Sequence, residues 1–445
     1  MPGKTDKSAA RNSRREFLAS GGAIAAGMYL GGRTVARAAT VETLAINGGR
    51  KAVTAPATGA TSWPLFGEEE RKAVNAVVSS PGYAEVQAFE KAWQEHFKPP
   101  YCKSHINGTS ALTSALFALN LPPGSEILVP SLDPWFGILP MRFFGLVPVF
   151  VDNHPRTLNF DLEDAKKRLT KNTRAIEVVH LFGLPCDMEA ICDFAKEKGL
   201  LVLEDCAHAH NASINGKYVG NWGQIGAFSC QGSKVLPAIE GGMGNYENRE
   251  YYERAASFGH YECPGQFPSD SKYRKYSATG LGLKLRIHPM GAALARCQLK
   301  VLDQQTELER EQNHSLNSRL CQLPGISEQA PGPGVKRVYW RWNPLFIDPA
   351  KAGMSREAAI KALKAEGVAV GNLNYSVSHR DAVFNEPEWW HHPPGIPDRL
   401  PGLDEALRTG ISLPRFTKPV PELIDQYVAA FEKVWAHRAA LGNSQ

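Results

Sequence analysis

Leu200-Leu201-Val202-Leu203-Glu204-Asp205 is an unbroken apolar run closed by two acids, and Cys206-Ala207-His208-Ala209-His210 follows it. Four apolar residues in a row, without the spacing of an amphipathic helix, read as a strand buried on both faces. Four similar runs flank it: Glu126–Pro130, Val147–Asp152, Ala175–His180 and Ile225–Cys230. A helical stretch, Ala111–Leu119, precedes them, and helical patterns separate several of them, at Leu162–Leu169 and Met188–Glu197. Strands alternating with helices predict an α/β domain with a mainly parallel sheet covered on both faces. The ends of such strands are where ligands collect. Asp205 stands at one of them.

Outward from this core the chain divides into four parts. Residues 1–38 read as an export signal, 39–75 as an extended N-terminal segment, 76–314 as the large domain and 315–445 as a smaller C-terminal α/β domain. A helix is expected over Tyr83–Phe97 and a long one over Gly291–His314. The small domain carries the apolar stretch Tyr339–Asp348 and helices over Arg356–Glu366 and Pro421–Ala439. At 445 residues, 43% hydrophobic and 21% charged, the chain has ample core for two lobes and no signature of disorder.

The formal charge of +5 lies wholly in the first 38 residues, where seven basic residues face two acidic ones. The remainder is balanced, which gives no basis for nucleic-acid binding. Ser13-Arg14-Arg15-Glu16-Phe17-Leu18 is similar to a twin-arginine motif, and a Gly/Ala-rich apolar run and Ala36-Arg37-Ala38 follow in order. The run is too short for a permanent membrane anchor. The expectation is export of a folded protein to the periplasm, with a cytoplasmic location as the alternative. Eight cysteines occur without a C-x-x-C pair, and Cys206-x-His208-x-His210 matches no zinc spacing, so no metal is expected.

The candidate chemistry gathers after two strands. Phe228-Ser229-Cys230-Gln231-Gly232-Ser233-Lys234 ends in a lysine among small residues, with Glu240-Gly241-Gly242 beyond it. Pyridoxal 5'-phosphate needs an amine to hold its aldehyde and an anion against its ring nitrogen. Lys234 and Asp205 suit these two tasks. Asn107-Gly108-Thr109-Ser110 opens a helix, where free amides and the helix dipole attract a phosphate. Trp135, in the loop after Glu126–Pro130, is placed to stack on the ring, and His208 to hydrogen-bond its phenolic oxygen. Each residue has a plainer reading: Asp205 and the hydroxyls as helix caps, Lys234 as a surface lysine, Trp135 as core. It is their combination that points to a cofactor. P-loop, Rossmann, nucleophile-elbow and H-E-x-x-H motifs are absent.

Taken together, these segments resemble the DegT/DnrJ/StrS family of sugar aminotransferases, from about Leu44 to His437. Val179-His180-Leu181-Phe182-Gly183 and Ile411-Ser412-Leu413-Pro414 extend the likeness. The resemblance implies the aspartate-aminotransferase type of pyridoxal fold. It implies Lys234 as the Schiff-base lysine, Asp205 as partner of the pyridine nitrogen and His208 near the phenolic oxygen. It also implies Trp135 as the stacking aromatic, Thr109 and Ser229 as phosphate contacts, and a homodimer sharing its active sites. Lys284 stands where the family commonly has an asparagine reaching the neighbouring subunit's phosphate. The expected reaction moves an amino group from glutamate or glutamine to a keto sugar or keto cyclitol. Two alternatives are a sugar dehydratase, in which histidine commonly replaces the lysine, and a non-catalytic sensor of cofactor or sugar. The export signal departs from the family: it favours a free sugar, cyclitol or glycan over a nucleotide-linked acceptor, unless the signal is inefficient.

Overall fold

The computed structural model describes residues 42–442. The expected export signal lies outside them. The first strands are β1 (Tyr101–His105), β2 (Glu126–Pro130), β3 (Val147–Val151), β4 (Thr173–Val179) and β5 (Leu201–Asp205). A small hairpin, β6 (Ser213–Ile214) and β7 (Lys217–Tyr218), precedes β8 (Ile225–Ser229) and β9 (Gly242–Tyr246). Seven of these form one sheet in the order β1-β9-β8-β5-β4-β2-β3. From β8 to β3 every pairing is parallel, and β9 alone runs against both of its neighbours.

Both faces of this sheet are covered, as the apolar runs require. Ile127, Val129 and Leu203 pack with Ala111, Leu112 and Ala115 on one side. Leu128, Ile176 and Val202 pack with Met188, Ile191 and Phe194 on the other. The alternation along each strand assigns neighbours to opposite layers. The carboxyl ends of β2, β5 and β8 therefore reach one edge, carrying Ser131, Asp205 and Ser229.

A second sheet is antiparallel, in the order β10 (Ile326–Glu328), β12 (Trp342–Ile347), β14 (Gly410–Pro414) and β13 (Gly371–Asn372). Between β10 and β12, strand β11 (Val335–Lys336) pairs instead with β6. Helices Arg356–Ala365 and Pro421–Ala436 pack on the second sheet through Ile360, Leu363, Tyr427 and Phe431. Leu44 and Ala60 belong to the same cluster, so the N-terminal segment completes the C-terminal core. Glu366 ties it down by accepting the amides of Ala45 at 2.7 Å and Ala52 at 3.0 Å, with Lys433 paired to the same carboxylate at 3.0 Å.

Two elements differ from the sequence reading. The N-terminal segment is not extended throughout, because α1 spans Glu68–Ser79. Its start is set by Gly67, whose amide donates to Glu70 Oε2 at 2.6 Å, and by three glutamates favoured at the positive end of a helix. The long helix runs from Pro289 to Leu320, past residue 314. Leu294, Ala295 and Leu299 lie in the core beneath the large sheet, whereas Leu316 and Leu320 lie in the C-terminal core. One rigid element thus spans the expected domain boundary. Helix α2 (Ala84–Phe97) crosses it and buries Phe89 and Trp93. Among the described residues no helix is long and apolar enough to cross a membrane.

Candidate active site

The site is built from strand ends and one helix start. Helix α3 (Gly108–Leu119) follows β1, and its cap Asn107 accepts the Ser110 amide at 2.8 Å. The amides of Gly108 and Thr109, in the first turn, have no partner inside the helix. Gly108 lies against β8: a Cβ there would stand 2.5 Å from Ser229 Cβ. Gly242 in β9 permits the same approach, since its Cβ would lie 2.3 Å from Asn107 O. Two glycines thus bring a positive helix end, Thr109 and Ser229 to one point, a cradle for an anion.

These residues border a cavity of about 500 Å³ whose wall also includes Asp205, His208 and Lys234. Asp205 is buried and its Oδ1 accepts the Ala207 amide at 2.8 Å. Burial raises its carboxyl above the ordinary value, opposed by the Ala207 amide and by the charges of Lys234 and His180. Burial brings the Lys234 amine down to about 8, against the pull of Asp205 and Asp133, and Arg341 adds to the fall. About a tenth of the amine is therefore uncharged at pH 7, far more than for an ordinary lysine, and this is the form that attacks an aldehyde.

His208 stacks on Trp340 with ring centroids 3.6 Å apart, and its Nε2 lies 3.3 Å from the Tyr375 hydroxyl. Burial, with Lys234 next, holds the imidazole well below its usual range, so it is neutral. Its Nδ1 is buried without a protein partner. Cys206, His208 and His210 diverge. Cys206 approaches His180 and Glu204, with ligand atoms within 4.8 Å of one another, but Glu204 accepts the amides of Gly220, Trp222 and Gly223. His210 packs on Trp93 and Phe228. All eight cysteines are free.

Not every expected residue reaches the cavity. Trp135 is 43% exposed and leans on Phe136, and it is Phe136 that lines the wall. Both aromatics of the loop after β2 are exposed, and only the second borders the cavity, a difference that sequence order does not reveal. Ser110 contributes its capped amide and is not part of the wall. Lys284, expected to reach the neighbouring subunit's phosphate and not its own cavity, is exposed, with its ammonium 6.0 Å from the Tyr261 ring.

Other residues join the site unannounced. Asp133, buried beyond β2, has its carboxyl raised well above the ordinary value by burial, Asp205 and Glu177. It obeys the strand-end rule that singled out Asp205, and that rule could have found it. Glu177 in β4 is buried with both oxygens unpartnered, and burial, with the Asp205 charge, pushes its carboxyl up to about 8. Trp63 donates from Nε1 to the Lys234 carbonyl at 2.8 Å, and Trp340 to the Ser233 carbonyl at 2.9 Å. The Lys234 ammonium lies 4.1 Å over the Trp340 ring. Two indoles from distant segments thereby fix the turn that presents the lysine.

The residues fit pyridoxal phosphate. The glycine-bordered helix start offers donors to the phosphate, Asp205 an acid for the ring nitrogen, His208 an orphaned polar edge and Lys234 an amine.

The comparisons agree with this construction. Residues 64–432 match the DegT/DnrJ/EryC1/StrS aminotransferase family. The chain is 33% identical over 281 residues to GDP-perosamine synthase of Escherichia coli O157:H7, 62% of this chain and 75% of that protein. It is 30% identical over 409 residues to a putative L-glutamine:3-amino-2,3-dideoxy-scyllo-inosose aminotransferase of Micromonospora echinospora, 89% of this chain and 92% of that one. An aminotransferase structure from Psychrobacter cryohalolentis aligns with a TM-score of 0.74 at 26% identity, over 84% of this chain and 98% of the other. With its sheet, helix-bound cradle and strand-end lysine and aspartate in place, the chain belongs to the DegT/DnrJ/EryC1/StrS aminotransferase family.

Proposed function

We propose that this protein transfers the amino group of glutamine or glutamate to a keto sugar or keto cyclitol, with pyridoxal phosphate as cofactor. One observation carries the reading: a lysine amine brought down to about 8 shares a cavity with a buried aspartate and an anion cradle. Relatives named for glutamine-dependent amination of scyllo-inosose derivatives support the donor and the cyclitol class, and a GDP-perosamine synthase supports the sugar class.

The cofactor, when bound, supplies an electron sink through its ring. The chain's own groups do the rest. Gly108, Thr109 and Ser229 hold the phosphate. Asp205, as a carboxylate, keeps a proton on the ring nitrogen. His208, neutral and fixed between Trp340 and Tyr375, orients the ring through its free nitrogen. Lys234 Nζ takes the donor's α-proton as general base and returns one as general acid, a task suited to a group titrating near 8. Trp63 and Trp340 hold the lysine's turn while the side chain moves.

The reading includes a homodimer. Phe136 lines the cavity yet is 42% exposed, and Trp135, Leu281 and Leu283 are also exposed apolar groups, which a second copy would cover. It also includes export by the twin-arginine route, supported by Arg14-Arg15, the apolar run after them and Ala36-Arg37-Ala38. A cofactor loaded before transport and a free cyclitol or sugar acceptor would be compatible with that route.

The test is the visible spectrum of the purified protein titrated with glutamine, glutamate and alanine. Conversion to the amine form of the cofactor by glutamine or glutamate, followed by its reversal with a keto cyclitol or keto sugar, is expected. A spectrum unmoved by any amino acid contradicts the reading and leaves a binding protein.

A further inference from the structure

The cofactor cavity has a neighbour of about 620 Å³, and the two share Ser233, Trp340 and Arg341 as a common wall. The second cavity also receives Trp63, Trp342 and Arg415, from three separate segments. Arg415 is committed, because its guanidinium makes a buried two-point pair with Glu309 at 2.6 and 2.8 Å. Arg341 is not. Among the described residues no ion pair or side-chain hydrogen bond uses its guanidinium. The group lies 4.3 Å over the Trp342 ring and 5.9 Å from that of Tyr375. A guanidinium resting its face on an indole keeps its N–H donors for a planar acceptor.

The backbone at Arg341 is unusual too. Its φ is +65°, a left-handed conformation that residues with a Cβ seldom adopt. The turn comes immediately before β12, and it aims the side chain at the junction of the cavities. Trp340 on one side stacks on His208, and Trp342 on the other begins the strand. Arg341 is close enough to Lys234 to add to the lowering of its pKa. Two cations lining the cofactor cavity, one reserved for the cofactor, leave a place for an anion beside the reacting amine.

We infer that Arg341 binds the α-carboxylate of the amino donor at the junction of the two cavities, with the donor's side chain directed into the second. The inference rests on the amino-transfer reading for the donor's identity. It follows from placement and charge: an α-amino acid whose amine meets the Lys234 position carries a carboxylate one carbon away, and Arg341 is the uncommitted guanidinium lining both cavities. Arg341 is exposed, so the pairing rests on the two-point hydrogen bonding of its fork to a carboxylate and not on exclusion of water.

The experiment uses the purified full chain with its cofactor and two variants, Arg341→Gln and Arg341→Lys. Glutarate, which has no amine to react, is titrated while tryptophan fluorescence is followed, since Trp340 and Trp342 flank the site. Saturable binding to the parent is expected, about 10-fold or more weaker in R341Q and intermediate in R341K, which keeps the charge without the fork. In the spectral titration, R341Q should raise the half-saturating glutamine concentration on the order of 100-fold with the cofactor spectrum unchanged. An amine without a carboxylate, 4-aminobutanamide, should act equally on parent and variant. No glutarate binding by the parent, or equal binding by R341Q, overturns the inference even if amino acids convert the cofactor. Arg341-dependent glutarate binding in a protein that no amino acid converts keeps the carboxylate site and removes the amino-transfer reading.

Discussion

Replacing Glu177 with glutamine should flatten the alkaline fall in this protein's stability. Glu177 sits in β4, 1% exposed, with neither carboxyl oxygen hydrogen-bonded. A Cβ at Gly137 would lie 2.0 Å from its Oε1, so the loop after β2 closes directly over it. Burial and the Asp205 charge move its titration from 4.5 to about 8. The native state thus keeps a proton that the unfolded chain releases. A raised carboxyl contributes its stability fully below pH 4.5 and loses it as pH rises to about 8. Each pH unit inside that window costs about 1.4 kcal/mol. The partial titration near the upper edge reduces the total, so roughly 2 kcal/mol is lost between pH 6 and pH 8. Glutamine keeps the shape and removes the proton. Urea unfolding of parent and Glu177→Gln at several pH values across this range gives the difference directly, and the difference isolates this residue from the other titrating groups. The variant should gain about 2 kcal/mol relative to the parent on going from pH 6 to pH 8. Parallel profiles would refute the assignment of Glu177 as a neutral buried acid.

Asp205→Asn should leave the fold and some cofactor binding but slow the donor half-reaction by about 100-fold or more, as stopped-flow spectra would show, because the ring nitrogen loses its charged partner. A parent rate in that variant reduces Asp205 to a cap for Ala207. Gly108→Ala places a Cβ 2.5 Å from Ser229 Cβ, so the helix start must retreat from β8; equilibrium dialysis should show weaker cofactor binding with circular dichroism unchanged, and parent-like affinity contradicts the cradle. Arg14→Lys with Arg15→Lys should trap the protein in the cytoplasm still carrying its cofactor. A parent chain found uncut in the cytoplasm by fractionation removes the export reading and favours a nucleotide-linked acceptor.

The parallel part of the sheet was legible because its strands are buried on both faces and so are written as apolar runs, as at Leu201–Asp205. Strand β9 was not, because Gly242 and Gly244 carry no side chain to form a pattern. The space they leave is taken by the Asn107 carbonyl and by Tyr246. Lys234, Asp205 and Thr109 could be found because strand ends and helix starts are local features with a chemical meaning, whereas Ser229 came only with the family resemblance. Trp63 and Arg341 act on Lys234 from 171 and 107 residues away, distances that no local pattern bridges. That Phe136 and not Trp135 borders the cavity is a difference of one residue within a loop. Asp133 was available to the same argument as Asp205, since both stand where a parallel strand ends.

The central claim is that Lys234 holds the cofactor beside Asp205 on the helix-bound cradle. Borohydride treatment of the cofactor-loaded protein, followed by proteolysis and mass mapping, tests it most directly. The cofactor's mass is expected on the peptide containing Lys234, with no label in Lys234→Ala. A label on another lysine, or none in a loaded sample, would contradict it.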